Sequence, residues 1–211
     1  MITVAVFKWV PPVARGLVRD LRVRWALEEA GLAYRSQPIG HDEKNAAAYK
    51  QWQPFGQVPA YEEDGLRLFE SGAIVLHIAE RSEALLPPDP AARARAVSWV
   101  FAALNTVESA VQPLVEIDLF HGGAAWAKER RPEVAKRVER RLAELAVALG
   151  ERDYLEGRFT AGDLMMASVL RLLRHTELVA GEPKLAAYQA RCEARPAFQR
   201  ALAAQMADFE S

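Results

Sequence analysis

A single cysteine, Cys192, serves the whole of a 211-residue chain. One thiol closes no disulfide, builds no CxxC redox pair and supplies no cysteine zinc cluster, so a cytoplasmic setting is the expectation. Histidine is nearly as scarce. His41, His77, His121 and His175 are the full set; none falls in an HExxH-like spacing, and no metal is expected. Charge of one sign is lacking too: the net charge of −1 offers nothing to draw nucleic acid or an anionic membrane surface. No apolar run approaches the roughly 18 residues of a membrane span. The opening MITVAVFKWVPP has neither a basic leader nor a small-residue cleavage site, so it reads as mature sequence. What is present is ordinary: 51% of residues are hydrophobic and 26% charged, enough for one large domain or two small ones.

The pattern changes character near residue 85. Before it, strand and helix signals alternate. ITVAVF has the length of one buried strand. ARGLVRDLRVRWALEEAG carries Leu17, Leu21 and Trp25 four apart, which predicts a helix closed by Gly31. LAYRSQPI reads as a second strand, with Pro38 marking an edge or an end. EKNAAAYKQW predicts a short, weak helix. VPAYEE and LRLF flank Asp64-Gly65, the chemistry of a primed hairpin turn, and SGAIVLHIAER follows as a helix. A proline-rich stretch, SEALLPPDPAARA, then leads into purely helical sequence. There Val100, Leu104, Val107, Val111 and Leu114 keep one stripe, and Val134, Val138, Leu142, Leu145 and Leu149 another. FTAGDLMMASVLRLL opens with Thr160 and Asp163 in capping-box spacing, a structural signal. The last two helices are split by Pro196.

QWQPFGQVPAYEEDGLRLFESGAIVLHIAER, residues 51–81, holds the chemistry. A proline at the start of a strand is an ordinary trans residue or a cis one, and X-Pro bonds take the cis form for only about 0.5–1 kcal/mol. Glu70-Ser71 sits where a strand hands over to a helix. There Ser71 can serve as a plain helix cap, or the helix start and its free N–H groups can hold an anion.

Taken together with FTAGDLMMASVLR, this segment resembles the soluble glutathione S-transferases, of bacterial type, over essentially the whole chain. The resemblance implies an α/β thioredoxin-like N-terminal domain at 1–82, a linker at 83–90 and an all-α domain at 91–211. It implies a cis bond at Val58-Pro59, with Val58 presenting its backbone to the cysteine of glutathione. Ser71 and the N–H groups beside it would take the γ-glutamyl carboxylate, and Glu70 the ammonium. Gln57 and Lys44 are candidates for the glycine carboxylate, although a solvated charge explains Lys44 equally well. Trp99, Phe101, Asn105 and Glu108 lie where the family lines its electrophile pocket and dimer cleft, or they are helix core. The implied activity is attack of bound glutathione thiolate on a small electrophile, of the kind used in detoxification. The implied assembly is a homodimer.

The sequence departs from the family at one place. KWVPPVARGLVRDLRVRW, residues 8–25, contains no Ser, Thr, Tyr, Cys or Asn, yet the family keeps its thiol-stabilising Tyr, Ser or Cys there. Arg15, Arg19 and Arg22, at i, i+4 and i+7, would share one helix face, either solvated or functional. Arg19 falls closest to the family's catalytic position. Arg19, or failing it Arg15, is the candidate for lowering the thiol pKa, with Trp9 as a shield from water. Two other readings stay open on the same fold: a glutathione-binding scaffold with weak or no catalysis, and a glutathione-dependent disulfide reductase or peroxidase.

Overall fold

A computed structural model describes residues 1–209, which divide into two compact units. The first comprises residues 1–86 with 195–209, the second Pro87–Ala194. In the first, β1 (Ile2–Phe7), β2 (Tyr34–Ile39), β3 (Ala60–Glu63) and β4 (Leu66–Phe69) form one sheet in the order β2-β1-β3-β4. β1 and β2 run parallel, and β1 with β3 and β3 with β4 antiparallel. The ITVAVF strand is buried along most of its length because it has neighbours on both sides. Pro38 sits in the edge strand β2, where a missing N–H is tolerated. Asp64 and Gly65 both take positive φ between β3 and β4, as the primed turn requires.

Helices α1 (Asp20–Ala30) and α3 (Ser71–Ala79) pack against each other, and Gly31 closes α1 at φ 66. The expected helix over EKNAAAYKQW breaks into a 3₁₀ turn at Glu43–Asn45 and the single-turn α2 (Ala47–Lys50). One further expectation is corrected. α1 begins at Asp20, well after the predicted start, because Arg15 is extended and Gly16 takes φ 75, which ends the short 3₁₀ turn Pro12–Ala14. The three arginines therefore share no helix face. The last helix, α9 (Pro196–Asp208), packs within the first unit. It is held there on α1 by buried polar groups: Gln205 donates to the Asp20 carboxylate at 2.8 Å and to the Val18 carbonyl at 3.1 Å, and Arg24 bridges Asp20 and Asp208. Burial works against the Arg24 charge, but the two carboxylates beside it more than offset this and raise its pKa.

The second unit is helical: α4 (Pro90–Phe101), a π-helical stretch Ala102–Glu108, α5 (Ser109–Phe120), α6 (Ala125–Leu149), α7 (Ala161–Leu170) and α8 (Pro183–Glu193). The apolar stripes of both long sequences are buried, apart from the half-buried Leu104. Gly162 lets α7 cross α4 closely, since a Cβ there would lie 2.5 Å from the Trp99 Cβ. The capping box at the start of α7 is complete. Asp163 accepts from the Thr160 N–H at 2.9 Å, the Leu155 N–H at 2.8 Å and the Tyr188 hydroxyl at 3.0 Å. Trp99 donates to Glu156, Phe101 and Asn105 are exposed, and Glu108 is buried.

Candidate functional site

The first unit brings the residues singled out in the sequence to three neighbouring junctions. At the first, before β3, the Val58-Pro59 bond is cis. Val58 is buried in a cluster with Ala5, Ile39, Tyr49 and Ala60, and Phe7 and Val18 pack against it. The start of β3 and the segment leading into α1 thus share one patch of core. Gly56 takes φ 63, and a Cβ on it would lie 2.8 Å from the Lys44 carbonyl oxygen. Only glycine lets this turn approach the Glu43–Asn45 turn so closely, and the approach puts Gln57 and Lys44 in adjacent turns. Tyr49 fixes the first of these turns by donating to the Gln57 carbonyl at 2.6 Å. Glu43 fixes the other, accepting from Lys8 at 2.8 Å and from the Gly40 N–H at 2.7 Å; these bonds hold its carboxyl below the usual range. Gln57 is exposed and Lys44 half-buried.

At the second junction β4 hands over to α3. Glu70 sits there at φ 67 and ψ 113, and it is exposed. Backbone of that kind on a non-glycine residue costs on the order of 1–3 kcal/mol and is held only where its surroundings demand it. Of the two readings of Ser71, the plain helix cap is not what the structure has: Glu70 occupies the cap position, and no side chain caps α3. The Ser71 hydroxyl is 5% exposed and instead accepts from Arg22 Nη1 at 3.3 Å. The first N–H groups of a helix have no partner within it, and its dipole favours an anion. The start of α3 therefore has N–H groups that no side chain of its own caps.

The third junction is the segment between β1 and α1. Arg19 is exposed at the cap of α1, and Arg15 is partly buried with its guanidinium 5.9 Å from the Phe209 ring. Trp9 is 52% exposed and meets His41 edge-on at 6.4 Å, while His41 stacks on Phe7. A solvated arginine face is not found: Arg22 is 3% exposed. Its contact with Ser71 escaped sequence reasoning, although Arg22 and Arg24, embedded in the otherwise apolar LRVRWAL stretch, were a signal of buried pairing. Among the described residues no group of three or more His, Cys, Asp or Glu could hold a metal ion. Nor is any helix among them long and apolar enough to cross a membrane.

Residues 13–80 match the family model of the glutathione S-transferase N-terminal domain. Glutathione S-transferase 3 of Zea mays is 32% identical, over 87% of this chain and 88% of its own. Maleylacetoacetate isomerase of Rhizobium meliloti is 30% identical, over 85% of this chain and 89% of its own. Among solved structures, a glutathione transferase from Burkholderia graminis with two glutathione molecules bound per subunit superposes with a TM-score of 0.81. It is 26% identical and covers 95% of this chain and 87% of its own.

Proposed function

Because the chain belongs to the glutathione S-transferase family, we propose that it binds glutathione and presents the thiolate to a small electrophile. The observation that carries this reading is the start of α3, a strained and uncapped helix end with a buried hydroxyl. In this assignment the Ser71 hydroxyl and the N–H groups of α3 take the γ-glutamyl carboxylate, and Glu70 takes the ammonium. Val58 offers its backbone N–H and C=O to the cysteine, next to the cis Pro59. Lys44 and Gln57, in their adjacent turns, receive the glycine carboxylate.

Activation of the thiol is the demanding step. A free thiol has a pKa near 8.5, and lowering it by about two units takes roughly 2.7 kcal/mol of preferential interaction with the anion. With no hydroxyl or thiol between residues 8 and 25, the supply falls to backbone N–H groups, the positive end of α1 and a charge-assisted bond from Arg19, or failing it Arg15. Trp9 would keep water from the sulfur. We further assign a homodimer, in keeping with the closed two-fold symmetry of most oligomers, and a cytoplasmic location.

Ultraviolet titration of protein-bound glutathione, run beside a conjugation assay with a generic aryl halide, tests the proposal. A thiol pKa well below 8.5 with measurable conjugation is expected. The absence of a hydroxyl in residues 8–25 favours a second reading, a glutathione-binding protein without transfer. Tight binding with an unshifted thiol pKa would establish that reading instead.

A further inference from the structure

Arg22 is a buried charge that reaches this site directly. It is 3% exposed, on the helix that follows the candidate thiol-activating segment, and its Nη1 donates to Ser71 Oγ across a sequence separation of 49 residues. A buried guanidinium has to be held by hydrogen bonds, and one of those of Arg22 goes to Ser71. The direction of the hydrogen bond is informative. A hydroxyl that accepts from a guanidinium keeps its own proton to donate. Its proton and the first N–H groups of α3 are thus available to one anion, and the Arg22 charge lies just behind them, where burial weakens screening by salt.

We propose that Arg22 is a positioning residue for the γ-glutamyl carboxylate of glutathione: it fixes the Ser71 oxygen with the hydroxyl proton turned outward and adds positive charge behind it. This rests on the assignment of Ser71 under the proposed function. It goes beyond that assignment in making the carboxylate preference of the site depend on a residue that does not touch the ligand.

Calorimetric titration with glutathione and with γ-aminobutyryl-cysteinyl-glycine, which lacks only the γ-glutamyl carboxylate, tests it through the ratio of the two affinities. A purely structural role would weaken both ligands alike and leave the ratio unmoved. Arg22→Gln, which can still donate to Ser71 but has no charge, is expected to lower the ratio roughly tenfold, the scale of one bond to a charged group. Ser71→Ala is expected to lower it similarly, and the double variant by less than the product of the two. Arg22→Lys, which restores charge without the planar fork, is expected to recover part of the loss and serves as the measured variant should Arg22→Gln not fold. A wild-type ratio near one would remove the γ-glutamyl assignment itself, and this proposal with it. A high wild-type ratio that Arg22→Gln leaves unchanged would overturn the role of Arg22 alone.

Discussion

Two helices of this protein begin in opposite ways. At the start of α7, Thr160 and Asp163 form a closed capping box, and the Asp163 carboxylate also takes the Leu155 N–H and the Tyr188 hydroxyl. Every bond there ends on another group of the same unit. At the start of α3 the chain adopts an unfavourable backbone at Glu70, caps nothing with a side chain, and turns the Ser71 hydroxyl toward a buried arginine. A helix start that satisfies itself serves folding. One that leaves its N–H groups open, at a cost in backbone strain, is where the proposed function places the ligand.

The contrast can be broken by mutation, and the largest effect is expected at the closed start. Asp163→Ala strips several buried donors of their acceptor and should cost on the order of 3–5 kcal/mol of stability. At roughly 2–4 °C per kcal/mol for a chain of this size, calorimetry should show a fall in Tm of at least about 6 °C. Glutathione affinity in the folded fraction should hardly move. Gly162→Ala, next along the same helix, forces a Cβ to within 2.5 Å of the Trp99 Cβ and should cost about 1–3 kcal/mol by overpacking. Chemical denaturation would show it as a lower midpoint at unchanged slope.

At the open start the effects should divide the other way. Ser71→Ala should weaken glutathione binding by roughly 1–3 kcal/mol in calorimetry, with less than about 1 kcal/mol lost from stability. Unchanged affinity would make α3 an ordinary helix that happens to lack a cap. Glu70→Gly should show the smallest shift in stability and the most telling one. Glycine accepts the positive φ, so stability should hold or rise by up to about 1 kcal/mol, while affinity for glutathione falls with loss of the acid.

Much of this was legible in the sequence because it is local. The Asp64-Gly65 turn, the Gly31 helix end and the Thr160–Asp163 box each depend on residues within a few positions of one another, whereas the cis Val58-Pro59 bond was implied only by the family resemblance. The misreadings have a common physical origin. The arginine pattern of residues 15–22 looked helical by spacing, but Gly16 breaks it. Nothing in the residues of α9 announces that Gln205 will meet Asp20, 185 positions away. Ser71 looked like a cap by type, and only the buried Arg22 beside it shows otherwise. Periodicity and capping rules see neighbours along the chain; partners brought together by the fold lie outside their reach.

The central claim is that the open start of α3 receives the γ-glutamyl end of glutathione. A crystal structure of the protein with glutathione bound tests it most directly. The account predicts the γ-glutamyl carboxylate within about 3 Å of the Ser71 hydroxyl oxygen, and the cysteine paired with the Val58 backbone. Glutathione seated elsewhere, or with its γ-glutamyl carboxylate in solvent and Ser71 still held only by Arg22, would contradict it.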